Sequence, residues 1–333
     1  MTLELPVRPR RNRKHPAIRG FARETWLGPE HFILPVFFHD TPGCAEIASM
    51  PGCVRHDLDS LLREAEGALR DGVGSIVLFP RVDDGLKTDD GAESWNDEGL
   101  VQRTIRALKS RFPELVVVTD VALDPYSSWG HDGLVSPDGR ILNDETVAAL
   151  CQQAVSQAAA GADIVAPSDM MDGRVGAIRA ALDAAGFEDV SILAYTAKYA
   201  SAFYGPFRDA LDSAPRVGGN APADKKTYQM DPANRREALR ELELDELEGA
   251  DMVMVKPAGP YLDVIREVRN ATTLPVAAYQ VSGEYAMLKA ACNNGWLEER
   301  KVVLESLLGI RRAGADIILS YYARQAARWL RQG

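Results

Sequence analysis

Three segments of the chain share one frame and end on three different reactive side chains. GADMVMVK, GADIVAPS and GADIILSY start at Gly249, Gly161 and Gly314, and seven residues on from each glycine stand Lys256, Ser168 and Tyr321. An amine, a hydroxyl and a phenol at the ends of apolar runs are poor choices for completing a core. They read as groups projected into a shared site. A second lysine, Lys198, ends SILAYTAK in the same way. Neighbouring strands lie roughly 4.8 Å apart, so two such lysines on adjacent strands disfavour each other's charge, and apolar walls add a desolvation cost. Both effects supply neutral amine near pH 7, which imine formation with a carbonyl compound requires. The competing reading is a pair of ordinary strand-end lysines that carry their charge out to solvent.

Acidic and basic groups surround these positions. TDVALDPYSSWGHDG contributes Asp120, Asp124 and Asp132. Oxygen ligands of this kind favour a hard cation such as Mg²⁺ over Zn²⁺, and the same spacing suits a solvated acidic loop. Arg208, Lys225 and Lys226 can clamp a carboxylate or stand as exposed charge. The five histidines form no HxH or HExxH pair, and Cys44, Cys53, Cys151 and Cys292 are scattered. A zinc site with several Cys or His ligands is therefore not expected, and the cysteines read as buried free thiols.

Eight apolar runs must position these groups: 32–38, 75–80, 115–120, 162–168, 191–198, 250–256, 275–282 and 315–322. They are near-continuous rather than alternating, as parallel strands covered on both faces require. Amphipathic stretches lie between them. LDSLLREAEGALRDG and LVQRTIRALKSRF space their apolar residues three and four apart. NDETVAALCQQAVSQAAAG offers Asn143 or Asp144 as an N-cap and finishes on a glycine. The alternation predicts an α/β fold, a (β/α)8 TIM barrel over residues 31–333 with an extended N-terminal arm at 1–30. An open doubly wound sheet is the rival, but no GxGxxG follows the first strand. The longest irregular stretch, about 200–231, carries turn-forming GP, VGGN and AP and reads as an active-site lid. In a barrel, catalytic groups sit at the C-terminal strand ends, which gathers Asp120, Ser168, Lys198, Lys256, Ser282 and Tyr321 around one mouth.

The 333 residues are 46% hydrophobic and 26% charged, an ordinary globular composition. No apolar run approaches the roughly 18 residues of a membrane span, so no membrane partner is expected. The first residues lack the apolar core of a signal peptide, and the expectation is a cytoplasmic protein. Residues 1–30 hold seven basic and three acidic side chains, a net +4 that leaves −14 on the remainder of a chain totalling −10. RPRRNRK can touch nucleic acid. The acidic body favours an arm that reaches onto a neighbouring subunit, and no nucleic-acid partner is expected.

These residues resemble the porphobilinogen synthase, or 5-aminolaevulinate dehydratase, family. The similarity runs from the basic arm to near the C-terminus, and it is carried by TDVALDPYSSWGHDG, VAPSDMMDGRV, YTAKYASAFYGPFRDA, TYQMDPANRREAL, MVMVKPAGPYLDVIREV, YQVSGEYAML and RRAGADIILSYYA. The resemblance implies a (β/α)8 barrel, a hydro-lyase of tetrapyrrole (heme, porphyrin) biosynthesis that condenses two 5-aminolaevulinate molecules to porphobilinogen with loss of two waters. It implies that Lys256 forms the imine with the P-side substrate and Lys198 with the A-side substrate. By the same carry-over Ser282 and Tyr321 hold the P-side carboxylate, and Arg208 and Lys225 hold the A-side carboxylate. Tyr204 and Phe207 close over the pocket, Asp120 and Ser168 stand around the substrate amino group, and Tyr279 packs beside the P-side site.

One departure bears on metals. Zinc-dependent members carry three cysteines where this chain has Ala122, Asp124 and Asp132, so the chain resembles the aspartate-rich branch and no catalytic zinc is expected. Whether the active site takes Mg²⁺, a monovalent ion or no metal stays open at this point. Glu241 aligns with the glutamate that binds an allosteric Mg²⁺ in many members, and a glutamate on a charged helix is also an ordinary solvated group. Trp129 stands where a histidine is common. The family's arm wraps a neighbouring subunit, which implies a homo-octamer with Arg10, Arg11 and Arg13 as inter-subunit contacts. Two other readings are a class I aldolase-like barrel, which needs only one imine-forming lysine, and a catalytically inert barrel that binds a carboxylated metabolite.

Overall fold

The computed structural model describes residues 5–215 and 221–332. The first residues of the expected arm and residues 216–220 of the expected lid lie outside the described residues. Eight parallel strands form the barrel: β1 (Phe32–Phe38), β2 (Ser75–Pro80), β3 (Val116–Val121), β4 (Ile164–Pro167), β5 (Ser191–Lys198), β6 (Met252–Lys256), β7 (Val276–Gln280) and β8 (Ile317–Ser320). Each pairs with the next, and β1 pairs with β8 through Phe32↔Ile318 and Ile33↔Leu319, which closes the sheet. The open doubly wound alternative is thereby excluded. The strands are buried along almost their whole length, as their unbroken apolar runs require.

Eight main helices cover the barrel: α1 (Leu58–Asp71), α2 (Leu100–Arg111), α3 (Asn143–Ala160), α4 (Arg174–Ala184), α5 (Glu237–Leu247), α6 (Leu262–Ala271), α7 (Glu299–Ala313) and α8 (Ala323–Arg331). A further helix, Ser282–Asn293, opens directly after β7. α1 is capped by Asp57, whose side chain accepts from the Ser60 N–H. α3 ends on Gly161 at φ 106°, a left-handed position that suits glycine. Among the described residues no helix is long and apolar enough to cross a membrane.

Three expectations need correction. Neither Asn143 nor Asp144 caps α3; the N-cap is Leu142, without a side-chain bond. Asn143 instead donates to the Asp172 carbonyl at 3.1 Å and accepts from the Asp172 N–H at 2.8 Å, tying α3 to the loop before α4. The cysteines are free but none is fully buried, and Cys44 is exposed, because all four lie outside the barrel interior. The stretch after β5 is not irregular throughout: Ala202–Tyr204 forms a 3₁₀ turn and Gly205–Leu211 an α-helix with Pro206 in its first turn, where a missing N–H costs nothing. Three small pairings were not anticipated. Val54–His56 lies parallel to the end of β1, Ala45–Glu46 pairs antiparallel with it, and Leu134–Val135 with Ile141–Leu142 forms a separate ribbon. Strands of two or three residues leave no readable period.

One buried ionic group links the helical layer to the barrel. Arg174 on α4 places its guanidinium 3.0 Å from Asp245 on α5 and 3.9 Å from Asp169, and all three are essentially inaccessible. Removing one member of such a group strands the others in low dielectric. Arg174→Met should lower stability by ~3–5 kcal/mol, read as a shift of the chemical-denaturation midpoint.

Candidate active site

β5 and β6 end on the two lysines, and their register determines how the lysines meet. Met252 and Val253 face Leu193 and Ala194; then Val255 faces Ala197 and Lys256 faces Lys198. Between these pairs β5 advances three residues while β6 advances two, a bulge at Tyr195–Thr196. Such a bulge re-aims side chains beyond it, and here it brings Lys198 directly opposite Lys256. Both are buried, at 6% and 5% exposure, so neither reaches out to solvent.

Their surroundings differ. The Lys256 ammonium stands 4.8–5.1 Å from the ring centres of Tyr195, Tyr204, Phe207 and Tyr279. Burial, reinforced by the charge of Lys198, lowers its pKa to about 7, against the opposing pull of Asp120, Asp132 and Asp124. Lys198 instead donates to Asp132 at 3.0 Å and to the Ser168 carbonyl. Asp132 also receives Lys225 at 2.6 Å, and Lys225 lies 3.3 Å from Asp124. Burial alone would raise the Asp132 carboxyl, but Lys198 and Lys225 overcome it and hold it well below the usual range. Asp120, on β3, is pushed up to about 7 by burial; Lys198 draws it down and Asp124 raises it further. An amine and a carboxyl that both exchange protons near neutrality share one wall.

A cavity of roughly 30 Å³ is lined by Asp120, Asp124, Asp132, Ser168, Lys198, Tyr204, Phe207, Arg208, Lys225, Gln229 and Lys256. That volume admits a water or two and no organic substrate, so the lid is closed. Lid contacts explain the closure. The Phe207 N–H donates to Ser282 Oγ at 2.9 Å, Ser282 Oγ donates to the Phe203 carbonyl at 3.3 Å, and Tyr204 Oη donates to the Lys256 carbonyl at 3.2 Å. The Phe207 ring packs on Phe79 and Phe37, with centroids 5.0 and 5.7 Å apart.

The expected residues therefore converge in two groups. Asp120, Asp124, Asp132, Ser168, Lys198, Tyr204, Phe207, Arg208, Lys225 and Lys256 line the cavity itself. Tyr279, Ser282 and Tyr321 sit behind it. The Tyr279 and Tyr321 hydroxyls are 2.9 Å apart, and Tyr321 stacks on Phe37 at 5.6 Å. Glu241 is elsewhere, half-buried on α5, in a cavity of roughly 800 Å³ whose charged lining mixes Asp172, Glu237, Asp245 and Glu248 with Arg174, Arg236 and Arg240. Asp124 and Asp132 are bridged by Lys225, and among the described residues no group of three or more His, Cys, Asp or Glu side chains is arranged to hold a metal ion.

Three contributors escaped the sequence reading. Gln229 approaches Asp132 at 3.4 Å. His131 bonds Tyr228 at 3.0 Å and the Pro222 carbonyl at 2.9 Å, which fastens the lid's return segment to the Asp132 loop. Tyr195 lies beneath Lys256 with its hydroxyl buried and unpartnered. Tyr195 is three residues before Lys198, opposite in face by simple alternation, and only the bulge brings it round.

Comparison with known proteins decides the family. A family model described as Delta-aminolevulinic acid dehydratase matches residues 6–329. The chain belongs to the delta-aminolevulinic acid dehydratase family. The chloroplastic delta-aminolevulinic acid dehydratase of Physcomitrium patens is 64% identical, covering 98% of this chain and 75% of the relative. The Oryza sativa subsp. japonica counterpart is 62% identical with the same coverage. The crystal structure of the Toxoplasma gondii ME49 delta-aminolevulinic acid dehydratase (porphobilinogen synthase), in complex with the reaction product porphobilinogen, superimposes with a TM-score of 0.96 at 55% identity, covering 98% of this chain and 92% of that one. The dehydratase fold of that structure is the closed barrel found here.

These relatives overturn the cytoplasmic expectation. The matches from Physcomitrium patens, Oryza sativa and Arabidopsis thaliana are all named chloroplastic. That expectation rested on the lack of an apolar signal core, and plastid transit segments are amphipathic and Arg- and Ser-rich instead.

The titration of Lys256 is open to direct test. Labelling by a small ketone with borohydride, mapped by peptide mass, should rise with pH through a midpoint near 7 at Lys256. Lys198→Met removes the neighbouring positive charge and should move that midpoint to higher pH.

Proposed function

We propose that this chain is a porphobilinogen synthase: it condenses two molecules of 5-aminolaevulinate to porphobilinogen and releases two waters, an early step of tetrapyrrole synthesis. The observation that carries the reading is the pair of buried lysines in register at one barrel mouth, with the family membership beside it.

The roles are those the family resemblance implies, and the geometry supports them. Lys256, neutral in part near pH 7, attacks the ketone of one substrate and forms an imine, expelling the carbonyl oxygen as water. Lys198 takes the second substrate, and tethering both turns an encounter between two identical molecules into an oriented reaction. The new C–N and C–C bonds between the substrates then release both lysines. Asp120, protonating near neutrality, can hold the proton given up by an attacking amino group, with Ser168 beside it. Ser282 and Tyr321, with Tyr279 packed against them, are assigned to one substrate carboxylate. Arg208, Lys225 and Gln229 on the lid side are assigned to the other. Lys225 is paired with Asp124 and Asp132, and a substrate carboxylate would take over part of its charge. Tyr204 and Phe207 shield the imines from water.

We further propose the aspartate-rich subtype without catalytic zinc, since Ala122 is buried and Asp124 and Asp132 are engaged with lysine. Glu241 is proposed to hold an allosteric Mg²⁺. Burial raises its carboxyl, Arg174 draws it down, and Asp245, Glu237 and Asp172 raise it again. A divalent cation there would offset the part of that negative charge which Arg174, Arg236 and Arg240 leave unbalanced, which is the chemistry it would supply. The arm supports a homo-oligomer, an octamer by family resemblance: Phe21 and Trp26 are 87% and 64% exposed, and the 3₁₀ turn Pro9–Asn12 and helix Pro16–Phe21 bury no residue within the chain.

Borohydride trapping with 5-aminolaevulinate should tag Lys256, with or without Lys198, in protein that forms porphobilinogen. Lys256→Met should lower kcat by about 10³-fold or more and abolish the tag at that position. An untagged, active wild type would end the imine reading. Glu241→Ala should lose the response of activity and assembly size to added Mg²⁺; an unchanged response would remove the Mg²⁺ assignment.

A further inference from the structure

We propose that Glu284 is a positioning residue for this reaction, a single buried carboxylate that locks the turn carrying Lys256 to the helix start carrying Ser282. The inference rests on reading Lys256 as the imine-forming amine.

Glu284 is the third residue of the helix Ser282–Asn293 and is 5% exposed. One of its bonds is local. Oε2 accepts the N–H of Val281, the helix N-cap, at 2.8 Å, as a glutamate at this position commonly does. The others are not local. Oε1 accepts the Gly259 N–H at 2.7 Å and Oε2 accepts the Ala258 N–H at 3.3 Å. Those two amides belong to the turn that follows Lys256 two and three residues on. One carboxylate thus holds two separate strand ends, β6 and β7, against each other.

The arrangement is specific and costly. A buried carboxylate ordinarily requires a cation, and no lysine or arginine pairs with Glu284 among the described residues; three backbone amides alone meet its charge. Burial pushes the acid up to about 7, and the Val281, Gly259 and Ala258 amides oppose it. A solvated cap would serve the helix without that cost. The fit is close as well: a Cβ at Gly259 would come within 2.6 Å of Glu284 Oε1.

The position matters because both clamped segments carry site residues. On the β6 side is Lys256, whose amine must keep its place among four rings. On the β7 side Ser282 receives the Phe207 N–H of the lid, and a Cβ at Gly283 would stand 2.5 Å from the Phe203 carbonyl. Glu284 therefore sets the amine and the lid anchor in one frame while touching neither substrate nor Lys256 Nζ.

The test uses the full chain with Glu284→Gln and Gly259→Ala. The glutamine keeps the shape, but its NH₂ cannot accept from the amides; the alanine drives a methyl into the carboxylate. With 5-aminolaevulinate and borohydride, the rate of tagging is followed separately at Lys256 and Lys198, alongside kcat, KM and thermal melting. The expected result in each folded variant is a loss of ~10²-fold in kcat and in tagging at Lys256, the scale of an ångström-sized misplacement, with tagging at Lys198 unchanged. Wild-type tagging at Lys256 overturns the proposal, and so does an equal loss at both lysines, which marks general support of the fold. If Glu284→Gln does not fold, Gly259→Ala carries the same comparison. A wild type that never tags Lys256 removes the imine reading itself, a result visible before either variant is made.

Discussion

Two amines buried side by side are the constraint around which this barrel is built. Bringing the Lys256 ammonium from its ordinary 10.5 to about 7 disfavours the charged form by ~5 kcal/mol, a large share of the 5–15 kcal/mol by which a folded domain typically exceeds its unfolded state. The sign is set by proton counts. Between about 7 and 10.5 the unfolded chain carries a proton at Lys256 that the folded chain lacks, so stability from this group rises with pH across that window. Below about 7 the folded state bears the full cost. The rest of the barrel must supply the stability that this site consumes.

The fold meets the cost with a division of labour. Aromatic rings surround Lys256, exclude water and offer their faces to whatever charge remains. Carboxylates gather around Lys198 and Lys225, where Asp132 alone receives two ammonium groups. One wall thus surrounds its amine with aromatic rings and the other with carboxylate and carbonyl oxygens, only a strand apart. A substrate that arrives twice meets two different environments, and that asymmetry is what lets two copies of one molecule take unlike roles.

Much of this was legible in the sequence, and the limits have physical causes. The eight strands stood out because burial on both faces forces unbroken apolar runs, and the lysines stood out because they interrupt that rule at its end. The dehydratase motifs then indicated which cavity residues to expect. The bulge in β5 was not legible. Nothing in SILAYTAK marks Tyr195–Thr196 as the place where two residues oppose one, yet without it Lys198 and Lys256 fall out of register. The carboxylate–lysine pairing of Asp132 with Lys225 was equally hidden, since it joins positions 93 residues apart. The N-cap at α3 was misread because Asn143 serves a tertiary contact to Asp172, and a local rule has no term for that. Localisation failed for a different reason: a missing apolar core speaks against one kind of targeting segment only.

The closed lid follows from the same electrostatics. Lys225 reaches the site from the lid's return segment, and it is the group that completes the charge balance of Asp124 and Asp132. With the lid raised, Asp132 would keep only Lys198, and a strongly held buried carboxylate would lose one of its two counter-charges. Closure is therefore favoured by the acidic cluster, and apolar contact of Phe207 with Phe37 and Phe79 adds to it. On the proposed reading, a substrate carboxylate entering this region would compete with Asp124 and Asp132 for the same ammonium. The acidic loop holds Lys225, and with it the lid's return segment, by the same kind of charge that an anion would offer. Asp124 and Asp132 thus tie the lid's return segment to the barrel mouth, a contact that a neutral thiol at either position would not make.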